Sequence, residues 1–457
     1  MSAWSLGITL GDLLLDLSWI GALLVLATLI RRYWRFVQDY LIPNNLVAGF
    51  IGLAVGMNGL GFIDLQTERL GAYVYHLLAL LFIALSLRRP DGRSAKTPVL
   101  FGLLYIHTYL VQALLGMAVA FALIATLMPD LFPGIGFLMP LAFGMNPGIA
   151  YTIGHHWESH GFAGGGVVGL TFAAIGFLVA YGVGITLVRR GIRRGEAAHY
   201  RADEPIPSDI RTGLVSGERK PVGGHLTTSP EAIESLTLHL GLVGAVYAGT
   251  WLLVSAMAAG LTAIGAGNET STLWSFHFIV AAVAAMGARR LIDATGAAAY
   301  VDDTTLTRLA NVFMDVMIVA SVAAIQFGVV AGYWLPVLLM SVVVGLATWI
   351  TLKRLTADLF DGYRLERFIA VFGNMTGTMQ SAMALLRVLD PQLKSPVSHD
   401  LVYGSGLALA LGFPLLLLIN APVNRFDDMG AGFAAVSLAL AVYWALVYAA
   451  LNWIGRR

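Results

Sequence analysis

Apolar residues along this chain neither alternate nor form narrow stripes; they fill whole segments that basic loops separate. About 20 residues of helix cross the hydrocarbon layer of a bilayer, and runs of sufficient length fall near 11–30, 42–63, 71–87, 99–128, 162–188, 236–262, 273–288, 309–331, 334–352, 399–420 and 431–454. Two further segments, 133–160 and 363–390, are apolar but interrupted by glycine. These read as re-entrant hairpins, because irregular backbone at membrane depth persists only where it is buried in protein or lines a wet cavity. Residues 189–235 are the one long polar stretch, rich in Arg, Glu, Pro, Ser and Gly. The expected fold is therefore an all-α polytopic membrane protein built from two inverted-topology repeats of five transmembrane helices, each with a re-entrant hairpin. The first repeat covers 1–188 with its hairpin at about 133–160, and 189–235 is a cytoplasmic linker. The second covers 236–420 with its hairpin at about 363–390, and 421–457 adds one C-terminal span.

Composition narrows the function classes. The 457 residues are 58% hydrophobic and 12% charged, about half the roughly 25% charge of a soluble domain. Ten Trp and sixteen Tyr suit the interfacial belts of a membrane protein. A net charge of +1 leaves no nucleic-acid footprint, and the absence of cysteine excludes disulfides, thiolate metal sites and thiol nucleophiles. Residues 1–7 carry no basic region ahead of the first apolar run, so no cleaved signal peptide is expected. With the amino terminus outside, only Arg69 and Arg425 of the 28 Lys and Arg residues fall on outer segments, as the positive-inside rule requires. This puts the linker and the carboxyl terminus in the cytoplasm and the chain in the cell (inner) membrane. An odd number of spans per half turns the second half upside down, so the first hairpin dips from outside and the second from the cytoplasm.

The two hairpins echo each other. Leu141-Ala-Phe-Gly-Met-Asn-Pro-Gly-Ile-Ala150 and Ala370-Val-Phe-Gly-Asn-Met-Thr-Gly-Thr-Met379 match Phe143, Gly144 and Gly148 to Phe372, Gly373 and Gly377 at one constant offset. Paired interrupted segments in two halves of a hydrophobic protein point to the binding site of a secondary transporter. A tip exposes the amino end of its second half-helix, where free N–H groups favour a carboxylate; Pro147 in that first turn costs no hydrogen bond. The candidate substrate-binding residues are Gly144, Asn146, Gly148, Thr152, Gly373, Asn374, Thr376, Gly377, Thr378 and Ser381, with Gln380 beside them. The bland alternative is that the glycines serve close helix packing and the hydroxyls bond back to their own helix. Asp315, flanked by Met314 and Val316 inside an apolar run, costs about 2.5–3.5 kcal/mol to insert. It reads as a sodium ligand or protonatable coupling site, or as an internal partner of Arg308 or a cap-like contact with a hairpin near the inner end.

Other polar residues read as ordinary. Asp12 and Asp16 are expected to be solvated interface acids. The cluster His155, His156, Glu158 and His160 lacks the His-Glu-x-x-His order of a zinc hydrolase and reads as a hydrated interfacial group, so no metal site is expected. His76, His107, His239 and His277 read as packing residues. Glu366 with Arg367, and Arg387 with Asp390, read as ion pairs at the base of the second hairpin, although Arg387 is also able to meet an anion.

Several motifs then carry a family resemblance: Tyr40-Leu-Ile-Pro-Asn-Asn-Leu-Val-Ala-Gly49, His76-Leu-Leu-Ala-Leu-Leu-Phe-Ile-Ala-Leu85, the stretch from Gly144 to His155-His-Trp-Glu-Ser-His-Gly-Phe162, and Thr376-Gly-Thr378 leading to Leu385-Leu-Arg-Val-Leu-Asp-Pro391. In the same order over nearly the whole chain, they resemble the sodium/glutamate symporter family. The resemblance implies a symporter: sodium-coupled uptake of a small anionic substrate, glutamate or a related amino acid, by alternating access. It also implies an elevator-like two-domain arrangement, a homodimer in lipid, and sodium as coupling ion with no other cofactor. Here the tips read Gly-Met-Asn-Pro-Gly and Gly-Asn-Met-Thr-Gly, less glycine-dense than the Gly-Gly-x-Gly type of better-known members. That departure keeps open a cation- or proton-coupled carrier of a dicarboxylate or 2-hydroxycarboxylate. A channel would need polar faces running along several spans, and a membrane metalloenzyme a metal or nucleophile-and-base constellation; no enzymatic activity is expected.

Overall fold

Where acidic side chains precede apolar runs they act as helix caps: Glu234 accepts the N–H of Thr237 at 2.6 Å and Asp302 that of Thr305 at 2.7 Å, each filling an orphan donor of a first turn. The computed structural model describes residues 9–89, 96–199, 208–215, 222–391 and 393–455, and every regular element among them is a helix. The principal ones are α1 (Leu10–Tyr33), α2 (Asn44–Val55), α3 (Thr67–Ser86), α4 (Lys96–Thr126), α5 (Pro147–Glu158), α6 (Gly165–Arg193) and α7 (Ser235–Ala263). They continue with α8 (His277–Ala294), α9 (Asp303–Ala323), α10 (Trp334–Leu359), α11 (Arg364–Thr376), α12 (Met379–Leu389), α13 (Val397–Arg425) and α14 (Met429–Gly455). Among the described residues nine helices, α1, α3, α4, α6, α7, α9, α10, α13 and α14, are long and apolar enough to cross a membrane. Leu10, Leu252, Val342 and Leu446, each more than half exposed, belong to faces that suit lipid and not water.

Three expected spans come out differently. The run 42–63 gives only the 12-residue α2, about 18 Å long at 1.5 Å per residue. Beyond Val55 the chain turns through Gly56, Gly59 and Gly61, the last at φ +69°, a left-handed conformation that glycine adopts without strain. The run 273–288 becomes a short helix, Thr270–Ser275, followed by α8, which ends among Arg289, Arg290 and Asp293. The run 309–331 stops at Ala323, where Asn58 donates to the carbonyl of Ala323 at 3.3 Å and Thr67 to that of Ala324 at 3.3 Å. These side chains satisfy carbonyls that a longer helix would have bonded internally, and a separate turn, Phe327–Gly332, follows.

The chain divides into two compact units. One comprises Met1–Leu23, Gly49–Gly92 and Val215–Ala324; the other comprises Leu24–Ala48, Arg93–Leu214 and Ile325–Arg457. Neither coincides with the halves 1–188 and 236–420, because helices on either side of the polar linker pack on each other: α3 with α9 in the first unit, α4 with α10 and α13 in the second.

In the first unit Asp16 is buried, contrary to the solvated role expected for it. It receives Nε and Nη2 of Arg69 at 2.8 and 3.0 Å and the hydroxyl of Tyr73 at 2.8 Å, which ties α1 to α3. Asp12 stays at the helix start, bonded to Thr9. Removing one partner strands a buried charge, which costs more than the pair itself contributes. Arg69→Ala is expected to lower stability by about 3 kcal/mol, read as a lower unfolding midpoint in detergent, whereas Asp16→Leu with Arg69→Met recovers most of the loss. Equal midpoints for the single and double variants would show that the ion pair is not what holds these helices.

Candidate functional site

The second unit contains two helical hairpins, each broken at the segment that the sequence marks. After Phe132 the chain makes a 3-10 turn (Pro133–Phe137) and a π-helical turn (Pro140–Met145), extends at Asn146 (φ −169°), and resumes as α5. It folds back on itself, since the ring of Phe132 before the first arm lies 5.6 Å from Trp157 and 4.7 Å from Phe162 after the second. In the second hairpin α11 ends at Thr376, Gly377 leaves the helical conformation (φ −142°, ψ −113°), Thr378 is extended (φ −141°), and α12 starts at Met379. A Cβ on Gly373 would lie 3.0 Å from Cα of Ala382, a distance that only a folded-back chain allows.

Each resumed helix is capped from its own break. Asn146 Oδ1 accepts the N–H of Gly148 at 2.7 Å, and the hydroxyl of Ser381 accepts the N–H of Thr378 at 3.4 Å. Gln380, beside that cap, accepts from Asn45 at 3.2 Å. The capping geometry leaves the amino ends of α5 and α12 as the positive poles of the breaks.

The breaks meet at two residues that the sequence alone does not single out. Gln112, fully buried in α4, donates through Nε2 to the carbonyl of Met375 at 2.8 Å and to Thr348 Oγ1 of α10 at 3.1 Å. Its Oε1 has no hydrogen-bond partner and lies 3.0 Å from where a Cβ on Gly144 would stand. Gly176 of α6 fits between the two breaks: a Cβ there would come within 2.6 Å of the Thr376 carbonyl oxygen and 3.1 Å of the Phe143 ring. Gly144 itself is pressed against Tyr109, and Thr152 in α5 is buried with its hydroxyl unpartnered. A lone amide inside the long apolar run 99–128 was the available signal for Gln112, since a polar side chain there demands a partner. Gly176 carries no signal apart from its neighbours.

Some of the predicted residues have packing roles. Gly373 closes α11 onto α12 through Ala382 and Leu385, and the Thr376 hydroxyl bonds back to the Phe372 carbonyl at 2.8 Å. Gly377 is tightly packed: a Cβ there would stand 2.6 Å from the capping hydroxyl of Ser381. Asn374, Thr378 and Ser381 are buried around the second break, and Gly148 in the first turn of α5. Asp315 belongs to the other unit, half-buried on α9.

The charges at the base of the second hairpin pair differently from the sequence expectation. Arg367 binds Asp400 at 3.3 Å and donates to the carbonyl of Gly362 at 2.8 Å. Glu366 accepts the N–H of Ala198 at 2.7 Å. Asp390 accepts the N–H groups of Lys394 and Ser395 at 2.9 and 2.7 Å, while Arg387 is exposed. Burial raises the Asp390 carboxyl, but the hydrogen bonds from the 394–395 turn outweigh it and hold the group below its ordinary range. At the base of the first hairpin His155 contacts Glu158 at 2.8 Å, and among the described residues no group of three or more His, Asp or Glu is placed to hold a metal.

Gln112, Asn146, Thr152, Asn374, Thr378 and Ser381 are all uncharged, so the polar groups at and beside the two breaks are helix ends and neutral hydrogen-bonding side chains. No family model, curated protein or solved structure matches this chain.

Proposed function

We propose that the chain is a sodium-coupled secondary transporter of a small anionic solute, working by alternating access, with the solute held where the two broken hairpins meet. The observation that carries this reading is the pair of matched breaks, Met145 to Pro147 and Thr376 to Met379, drawn together on Gln112 and Gly176. A half-helix amino end presented at a break inside the membrane is the device by which membrane carriers hold anions. The charge distribution supports an inverted-repeat arrangement in which the hairpins are re-entrant from opposite faces. Sodium and the homodimer come from the family resemblance, and Asp315 is the proposed coupling residue.

Purified protein in sodium-free liposomes tests the reading: an outward-to-inward sodium gradient should drive accumulation of a labelled small acid above its external concentration. Equilibration without accumulation would identify a channel, and no movement of any acid would remove the transport assignment. Asp315→Asn should weaken sodium activation by about fivefold with little change in protein level, since it deletes a ligand charge in the bound state. Sodium activation equal to that of the unaltered chain would assign Asp315 to structure.

A further inference from the structure

We infer that the turn after α1 is a binding surface for anionic phospholipid, with the headgroup at exposed guanidiniums and an acyl chain in the apolar slot beside them. The inference is independent of the transport reading and uses only residues 29–40 and the end of α6, all within the second unit.

The turn is built from the way α1 stops. Trp34 leaves the helical conformation (φ −92°, ψ 106°), and the amide of Gln38 donates to the carbonyls of Arg31 and Arg32 at 2.9 Å each, filling acceptors that a helix end leaves open. The chain resumes as a short helix, Arg35–Asp39, that buries Val37 and Gln38. The aromatic residues around that buried pair are left outside: Tyr33, Trp34 and Phe36 are each half exposed or more. Arg31 is used within the fold, donating to the carbonyls of Ile42 and Ile210. Arg32 and Arg35 are exposed and, among the described residues, belong to no ion pair.

Leu29, Ile30, Tyr33 and Trp34 line an open apolar slot of about 500 Å³. Its aromatic wall continues as a strip, with ring centres 5.7 Å apart from Trp34 to Phe36 and 4.9 Å from Phe36 to Tyr40. A guanidinium stands at each end: Arg32 lies 5.4 Å from the Tyr33 ring centre, and Arg189 of α6 lies 5.8 Å from that of Tyr40. Arg189 is fixed there by donating to the carbonyl of Asp39 at 2.7 Å. The exposed Asp39 is the one acid between Arg31 and Tyr40, so the surface is net positive.

Water suits only half of this surface. Aromatic rings at the end of a membrane helix settle at headgroup level, and a guanidinium fork matches the oxygens of a phosphate. A free anion would meet the arginines and gain nothing from the slot. A zwitterionic lipid would fill the slot but bring its own cation to the arginines. An anionic phospholipid satisfies both, and basic residues beside a membrane helix attract such lipids.

Lipids with brominated chains quench a tryptophan they touch, which makes Trp34 the reporter. Brominated phosphatidylglycerol and brominated phosphatidylcholine are titrated separately into the purified full-length chain in detergent, and the Trp34 signal is the difference between the unaltered chain and Trp34→Phe. Phosphatidylglycerol should quench that signal at about a tenfold lower concentration than phosphatidylcholine. Arg32→Gln with Arg189→Gln should bring the two lipids within about twofold by weakening phosphatidylglycerol alone, whereas Arg32→Lys with Arg189→Lys, which keeps the charge, should retain most of the preference. Equal quenching by the two lipids in the unaltered chain, or a preference that survives the Gln pair, would overturn the inference. A Lys pair that behaves as the Gln pair does would trace the effect to altered packing and overturn it as well. So would displacement of phosphatidylglycerol by inorganic phosphate beyond that by sodium chloride at equal ionic strength, which would mark a site for free anions.

Discussion

Gly377→Val is expected to reduce sodium-driven uptake more than a hundredfold while the protein still elutes from detergent gel filtration as the unaltered chain does. The reason is local: the first carbon of any side chain at 377 would stand 2.6 Å from the Ser381 hydroxyl and 3.1 Å from the Gly373 carbonyl. Overpacking of this kind costs about 1–3 kcal/mol, and the groups forced to move are the cap of α12 and the last turn of α11. Both would bear on the solute, so a strain the fold can absorb becomes a loss of geometry that binding cannot. Gly182, also on a long helix, has nothing within 4 Å of the place a first side-chain carbon would occupy and serves as the comparator. Gly182→Val should keep uptake within about twofold, since surface changes away from packed features are nearly neutral. Near-normal uptake in Gly377→Val would detach the second break from transport.

Gln112→Leu should lower uptake about thirtyfold. The Met375 carbonyl loses its donor and a buried unsatisfied group costs about 1–3 kcal/mol, while the oxygen facing Gly144 disappears. Gln112→Glu gives the sharper result. An ionised carboxylate has no proton for the Met375 carbonyl, but the neutral acid has one, so uptake by this variant should rise as pH falls toward 5, in the opposite sense to a plain loss of stability in acid. A variant whose uptake is flat between pH 5 and 8 would show that donation to Met375 is not what Gln112 supplies.

The breaks themselves were legible from the sequence because glycine and proline interrupt otherwise uniform apolar runs, and a chain cannot leave backbone groups bare at membrane depth. Asn146, Pro147 and Gly377 stand at or beside the points where the helices stop. Partnership was not legible. Asp16 looks like an interface acid until Arg69 and Tyr73 are found against it, and Glu366 beside Arg367 looks like an ion pair until Asp400 claims the arginine. Residues adjacent in sequence on a helix point in different directions, so the partner comes from another helix and no local pattern names it. Helix lengths failed for a related reason. Hydrophobicity continues past Val55 and Ala323, but Gly56 and Gly61 in one case and the side chains of Asn58 and Thr67 in the other decide where the helix ends.

The interleaved division of the chain has a consequence for biosynthesis. The segment that ends at Ala324 must be made before the first unit has all its parts, and the second still waits for α10 to α14. During translation, therefore, α2 is made long before α9, whose Val322 and Ala323 lie against its Gly49 and Gly52, and the first hairpin is made well before α11, with which it shares Gly176. Chain release and final packing are close in time, and contacts between residues this far apart in sequence close slowly. A ribosome stalled ahead of Arg364 should thus hold a chain whose first hairpin is still open to protease, although its first four long helices are already inserted.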